Sequence, residues 1–320
     1  MAEAPLRARL IADAGAASAD PANFFRSPEF LAAEGVTHPL AIEGGTEPLL
    51  LPVIQREIES EAGHDAASPY GYPGAASLPN PVPDPARVDW SDTGLVSLFI
   101  RDRIGDAPAL AGGTVRAEVH IADPRREGGM RKRLREQIRR NERRGWRVAA
   151  EPGADAEPTD RAAFERAYAE TMARAGASAR YLYPPEYFER LLAAEPAWLL
   201  LAGREGEGPS AGAIVVRSDG YLHYFLGGTR DAALEDSPMK NVFAAMISLA
   251  GELGLSLHLG GGVEPGDSLD SFKRGFANAN AEFRTHEVVC DPGLYERLSG
   301  GRTGGSGDFF PAYRARGADR

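Results

Sequence analysis

The second half of the chain is punctuated so regularly that few folds can accommodate it. Three apolar stretches, AWLLLAG (197–203), AGAIVVR (211–217) and YLHYFLG (221–227), follow one another. A polar loop, REGEGPS, separates the first two, and Asp219-Gly220 separates the second pair. Asp-Gly between alternating strands is a strong hairpin signal, because the favoured two-residue turn needs positive φ at both central positions. Ser237-Pro238 then supplies an N-cap and a first-turn proline for a helix whose apolar residues Met239, Val242, Phe243, Met246, Ile247 and Ala250 recur with a 3.6-residue period. Gly254 stops that helix, LSLHLG makes a fourth strand, SFKRGF a short helix and AEFRTHEVVC a closing strand. The order strand, strand, strand, helix, strand, helix, strand describes an α/β (α+β) domain with a mixed, largely antiparallel sheet flanked by helices.

Upstream, Thr159 and Asp160 open an amphipathic helix that runs to about Ala175, and Pro184-Pro185 starts another that ends before Pro196. The first half is more irregular. Phe24 to Ala33 reads as helical, HPLAIEG and PLLLPVI as a hairpin around Gly44-Gly45, and GLVSLFIR and VRAEVHIA as later strands. The proline-rich region from Pro69 to Pro85 reads as a long functional loop or surface excursion. A length of 320 residues with 43% hydrophobic content fits two domains better than one. The expected division is 1–150, with a basic helix at 126–145 leading to the junction, then 151–298, then a linker and tail at 299–320. The tail begins as a Gly/Ser linker, but Phe309, Phe310 and Tyr313 in DFFPAYR are too apolar for a solvated end.

The single cysteine, Cys290, excludes an intramolecular disulfide framework and fits a reducing compartment. The opening MAEAPLRARLIADAGAAS has no continuous apolar run, and no stretch reaches bilayer-spanning length, so the expectation is a soluble cytoplasmic protein without membrane insertion, by default a monomer. Net charge is -10, yet Arg131 to Arg147 carries nine Lys or Arg against Glu136 and Glu142. That segment is +7 on a body of -17. One concentrated basic element on an acidic body suits a phosphate backbone held at one place, with Arg135, Arg139, Arg140, Arg143 and Arg144 as candidate phosphate contacts. A solvated charged face is the plainer account, and an acceptor's own phosphates are a third.

Chemistry concentrates in SLDSFKRGF, which follows Gly260, Gly261 and Gly262 at a strand end. Glycine there lets a ligand approach the backbone, and Lys273 could stabilise an oxyanion or move a proton, with Phe272 shaping the site. A surface helix with Phe272 in the core and Lys273 solvated is the alternative. DAASPYGYPG offers Asp65, Ser68, Tyr70 and Tyr72 as possible ligand contacts, or an ordinary turn with half-buried tyrosines. Arg180, Tyr181 and Tyr183 precede the Pro184 helix. On the YLHYFLG strand, alternation sends Tyr221 and His223 to one face and Tyr224 to the other. His223 is a candidate base or a satisfied sheet histidine. The six histidines, His38, His64, His120, His223, His258 and His286, show no paired ligand spacing, so no metal is expected. P-loop and nucleophile-elbow patterns are also absent, which removes support for ATP-driven ligation and covalent serine catalysis.

The stretch LHLGGGVEPGDSLDSFKRGF resembles the C-terminal signature of the Fem family of aminoacyl-tRNA-dependent transferases, whose C-terminal half carries a Phe-Lys pair in this setting. The resemblance is strongest from Phe164 to Tyr295 and continues more weakly through the basic helix and DAASPYGYPG. It implies two tandem GNAT-like domains, a C-terminal block that returns to the first, and no cofactor beyond aminoacyl-tRNA as co-substrate. It implies that Lys273 serves the tetrahedral intermediate, that Asp65, Ser68, Tyr70 and Tyr72 line an acceptor pocket, and that Arg180, Tyr183, His223, Tyr224, Gly261 and Gly262 contribute to substrate binding. The acceptor would be a small peptide-like or nucleotide-linked amine, in secondary-metabolite assembly or peptidoglycan precursor modification. The missing helical-arm insertion of some staphylococcal relatives, and the high alanine, arginine and glycine usage expected of a GC-rich bacterial genome, tilt toward the former.

Two other readings compete. Acetyl-CoA-dependent N-acetyl transfer on the same fold needs a basic, glycine-rich pyrophosphate turn, whereas GGTRDAALEDSPMKN is crowded by Asp231, Glu235 and Asp236. A non-catalytic tRNA- or peptide-binding protein would keep the basic helix and gain nothing from Lys273.

Overall fold

The computed structural model describes residues 5–18, 23–58, 63–105, 108–264, 266–300 and 309–315. Most of the Gly/Ser linker expected from Ser299 lies outside them, since residues 301–308 are not among those described. Strands β1 (Leu6–Leu10), β2 (Leu40–Glu43), β3 (Leu49–Leu51), β4 (Ile54–Glu57), β5 (His64–Ala67), β6 (Val88–Asp89) and β7 (Leu95–Arg101) come first, with helix α1 (Pro28–Ala33) between β1 and β2. Next come β8 (Thr114–Ala122), α2 (Lys132–Arg143), β9 (Trp146–Pro152), α3 (Pro158–Arg174), α4 (Pro185–Ala193), β10 (Ala197–Arg204), β11 (Gly208–Ser218) and β12 (Tyr221–Thr229). The chain closes with α5 (Met239–Glu252), β13 (Ser256–Gly260), α6 (Ser268–Arg274), β14 (Ala279–Val289) and α7 (Pro292–Ser299).

Two compact units divide the chain: Met1–Pro21, Phe25–Arg116 and Glu282–Arg320 form one, and Ala22–Phe24 with Ala117–Ala281 the other. The expected boundaries at 150 and 298 are therefore replaced by crossings inside β8 and β14. Packing explains the shift. Ile138 of the basic helix α2 is buried with Val242 and Met246 of α5, and Asn141 Nδ2 donates to Asn241 Oδ1 at 2.8 Å. At the other end, Thr285–Val289 of β14 pair with β7, which keeps them in the first unit.

The first unit holds one sheet in the order β3-β2-β1-β6 and a run β4-β5-β7-β14. Leu40, Ile42, Leu49, Leu51, Leu98 and Ile100 are fully buried in its core. The C-terminal block is tied to it: Tyr313 Oη donates to Asp65 Oδ2 at 3.0 Å and lies 2.8 Å from Ser97 Oγ. Arg314 Nε lies 2.5 Å from the same Asp65 oxygen. Asp65 is thus not in a ligand-facing loop. It belongs to β5, which pairs parallel to β7.

In the second unit the strands run β8-β13-β12-β11-β10-β9, and only β12 and β13 are parallel. Asp219 (φ 49) and Gly220 (φ 79) make the β11–β12 turn with the two left-handed residues a type I′ hairpin needs. Trp146, Leu200, Val215, Leu222, Phe243, Met246, Leu257 and Phe276 fill the core beneath α5. Ser237 is not the N-cap of α5. The chain arrives in a tight turn with Ser237 at φ 52, its hydroxyl donates to Leu234 O, and Pro238 takes the cap position. Among the described residues, no helix is long and apolar enough to cross a membrane.

Candidate active site

The parallel ladder between β12 and β13 joins only Tyr221–His223 to Ser256–His258. Both strands continue past it, β12 pairing with β11 as far as Thr229 and β13 pairing with β8 as far as Gly260. Parallel strands that part company at their carboxyl ends leave a crevice of the kind that holds ligands in α/β sheets. Lys273 lies buried where the two strands part. Its Nζ donates to the carbonyl of Gly261, just past the end of β13, at 2.7 Å. The same nitrogen lies 5.5 Å from the ring centre of Tyr224, the first β12 residue beyond the last pair. One ammonium therefore reaches both strands' chains just past their last ladder pair.

The loop into α6 fixes that position. Asp267 is the N-cap: Oδ1 accepts from Asp270 N at 2.6 Å, and Oδ2 accepts from Val263 N at 2.8 Å and Glu264 N at 3.0 Å. A side chain at Gly262 would collide with Asp267 Oδ1, so the clasp needs glycine there. Helix α6 then divides its faces. Phe272 packs at 4.9 Å from Phe243 and 5.3 Å from Phe276, as part of the core rather than the site. Asp270 and Lys273, one turn apart, share a buried face.

Burial pushes the Lys273 ammonium down to about 8, against the opposing pull of Asp267 and Asp270. At neutral pH it is mostly protonated and close to exchange. Asp270 is held well ionised by hydrogen bonds from His120 and Arg274. His120 Nε2 is 2.7 Å from Asp270 Oδ1, and its Nδ1 is 3.1 Å from Asn280 Oδ1. His258 lies fully buried under this group. Burial, then the charges of His223, Lys273 and His120, drive its pKa well down, so it stays neutral. His120, Asp270 and His258 were not singled out from sequence. The three-residue spacing of Asp270 and Lys273 in SLDSFKR could have signalled Asp270, whereas His120 and His258 come from β8 and β13 and no local pattern marks them.

The other candidates fall elsewhere. His223 is not a free base: it is buried, with Nε2 3.1 Å from Ser218 O and Nδ1 3.2 Å from His258 Nδ1. Asp65, fully buried, is consumed by Arg56 at 2.7 Å and by the C-terminal block. Ser68 accepts from Arg101 N through Oγ and from the Arg101 guanidinium through its carbonyl. The Tyr72 ring packs 5.0 Å from Phe283 and 5.9 Å from Phe25, and burial raises its phenol. Tyr70 is 38% exposed, its amide donating to Glu34. Arg180 lies over the Tyr181 ring at 4.8 Å, and Tyr183 stacks on Tyr187 at 3.9 Å. On α2, Arg139, Arg140 and Arg143 are exposed, and Arg135 donates to Met130 O. Arg144 departs from the expected phosphate role, since it pairs with Asp236 at 2.5 Å.

Residues 128–274 match the family model described as an acetyltransferase (GNAT) domain, a span that covers α2, the crevice and Lys273. The crystal structure of FemX superposes over 89% of this chain and 97% of its own with a TM-score of 0.61 at 13% identity. The chain has a Fem-like GNAT fold. The C-terminal domain of a putative lysylphosphatidylglycerol synthetase from Agrobacterium fabrum also superposes on this chain at 15% identity, covering 82% of this chain and 87% of its own, with a TM-score of 0.52. A conserved protein of unknown function from Bacteroides thetaiotaomicron does so at 11% identity over 86% and 95%, with a TM-score of 0.51. No curated protein matches the sequence.

Proposed function

We propose that this protein is an aminoacyltransferase that moves an amino acid from aminoacyl-tRNA to the amine of a peptide-like acceptor. The observation that carries the reading is the buried Lys273 ammonium at the open end of the β12–β13 ladder. An aminoacyl ester is already activated, so catalysis needs orientation and charge stabilisation more than covalent chemistry. The acceptor nitrogen adds to the ester carbonyl and the carbonyl oxygen gains negative charge. The C–O bond to the ribose then breaks as the amide forms. The amine gives up a proton and the departing ribose oxygen takes one. Lys273 is suited to stabilise the oxyanion, and with its lowered pKa also to supply the proton to the leaving oxygen.

Acetyl-CoA is disfavoured as donor by the turn between β12 and α5. Its amides are spent internally: Thr229 N donates to Thr171 Oγ1 at 2.8 Å, and Asp231 N donates to Glu170 Oε2 at 2.7 Å. Arg230 Nε reaches the other Glu170 oxygen at 2.9 Å, and Arg174 pairs with Asp231. A pyrophosphate would have to displace carboxylates already seated there. Exposed Arg139, Arg140 and Arg143 on α2 supply a phosphate-binding face for tRNA instead. The acceptor belongs to secondary-metabolite assembly or to peptidoglycan precursor modification.

Binding separates the donors directly. Filter retention of labelled aminoacyl-tRNA should be saturable and should weaken steeply with salt, while equilibrium dialysis with labelled acetyl-CoA should show no saturation. Saturable acetyl-CoA binding without tRNA retention would overturn the proposal.

A further inference from the structure

Lys273 is the only charged group of α6 whose side chain is buried together with its helix neighbour one turn back. Lys273 is 7% exposed and so is Asp270, whereas Arg274 beside them is exposed. Asp270 does not turn toward solvent, because both its oxygens are engaged: Oδ1 with His120 Nε2 at 2.7 Å and Oδ2 with the Arg274 guanidinium. His120 is itself anchored, buried on β8 with its second nitrogen 3.1 Å from Asn280 Oδ1. The chain Asn280, His120, Asp270 thus ties α6 to β8 immediately beside the crevice. A carboxylate built in this way is expensive to bury, and a surface helix of seven residues does not need one.

We infer that Asp270 is a positioning residue of the site: clamped by His120 and Arg274, it holds α6 in the register that aims Lys273 at the Gly261 carbonyl and supplies fixed negative charge opposite the buried ammonium. The charged and titratable groups around Lys273 support that division of labour. From its own helix and cap come Asp267 and Asp270, both favouring the ammonium. From β13 comes His258, kept neutral, and from β12 the Tyr224 ring. Asp267 is committed to the loop clasp through three backbone amides, which leaves Asp270 as the carboxylate that can be altered without opening the loop.

The inference deepens the proposed role of Lys273, and its test needs no substrate. The chain has three lysines, Lys132, Lys240 and Lys273, so 13C-labelled lysine gives three side-chain signals, and Lys273→Met assigns the one of interest. In the wild type that signal should titrate near pH 8. In Asp270→Asn it should titrate at lower pH by about half to one unit, the direction expected when an opposite charge is removed. Asp270→Ala, which removes the charge without adding an amide, gives the second reading where asparagine disturbs the fold. A folded variant that titrates at the wild-type midpoint overturns the inference. The two ideas fail separately: full turnover by Lys273→Met would sink the role of Lys273 in catalysis, while an inactive Lys273→Met with an unmoved Asp270→Asn midpoint would sink only the role of Asp270.

Discussion

The Nζ of Lys273 donates a 2.7 Å hydrogen bond to the carbonyl of Gly261, twelve residues earlier, and so closes the loop between β13 and α6 over the point where the β12–β13 ladder ends. A buried ammonium that bonds a backbone carbonyl is a stabilised charge held where a substrate carbonyl could be received. It is also a charge that the fold would be better off without.

Replacing Lys273 with methionine should therefore separate activity from stability. Turnover should fall by roughly two to three orders of magnitude, the loss seen when one oxyanion donor is removed. The melting temperature should hold or rise, since a buried charge gives way to an apolar chain of similar length. Steady-state rates and a thermal melt on the same preparation check both.

The pH dependence follows from the sign of the Lys273 shift. Its pKa falls from 10.5 to about 8 on folding. The rate should decline as pH rises through about 8 and the ammonium is lost. Stability should move the other way: between about 8 and 10.5 the unfolded chain binds the extra proton, so this group's penalty is full below 8 and is relieved as pH climbs. Lys273→Met should lose both features, measured by a pH–rate profile and by denaturant melts across that window.

Asp236 should matter for the fold and not for tRNA. Its carboxylate accepts from Trp146 Nε1 at 3.1 Å and pairs with Arg144, and these hold its pKa below the usual aspartate value. A depressed carboxylate stabilises above its unfolded pKa and loses that contribution as pH falls through the folded one. Asp236→Asn should lower the melting temperature at pH 7, and its deficit should shrink as pH falls below about 4.

Among the basic residues, Arg139, Arg140 and Arg143 should carry the phosphate contacts. Changing all three to glutamine should weaken tRNA retention and lower the magnitude of its log–log salt slope by about two to three. Arg144→Gln should chiefly lower the melting temperature.

Asp65 accepts from Arg56, Tyr313 and Arg314 while fully buried. Asp65→Ala leaves two guanidinium groups without their shared anion and should destabilise the first unit by about 3 kcal/mol or more, read from urea melts.

These residues also show what the sequence could and could not convey. The Asp219-Gly220 turn, the period of α5 and the placement of a Phe-Lys pair after a glycine run are local patterns, and the structure repeats them. The failures are non-local. Asp65 looked like a loop ligand because its partner Tyr313 lies 248 residues away. Arg144 looked like any other arginine of α2 because Asp236 is 92 residues downstream. Alternation assigned His223 to a face of β12 but could not report that His258 and Ser218 would close over it. The division into units shifted for the same reason, since the basic helix is claimed by α5, a hundred residues later.

The most direct test of the central claim is a paired turnover assay with extract from the source organism as acceptor. One reaction carries labelled aminoacyl-tRNA and the other labelled acetyl-CoA, each run with wild type, Lys273→Met and RNase-treated donor. Label should pass from tRNA into an RNase-resistant amide product, be abolished by prior RNase treatment of the donor and fall to near background in the variant. Label passing only from acetyl-CoA, or equal transfer by Lys273→Met, would contradict it.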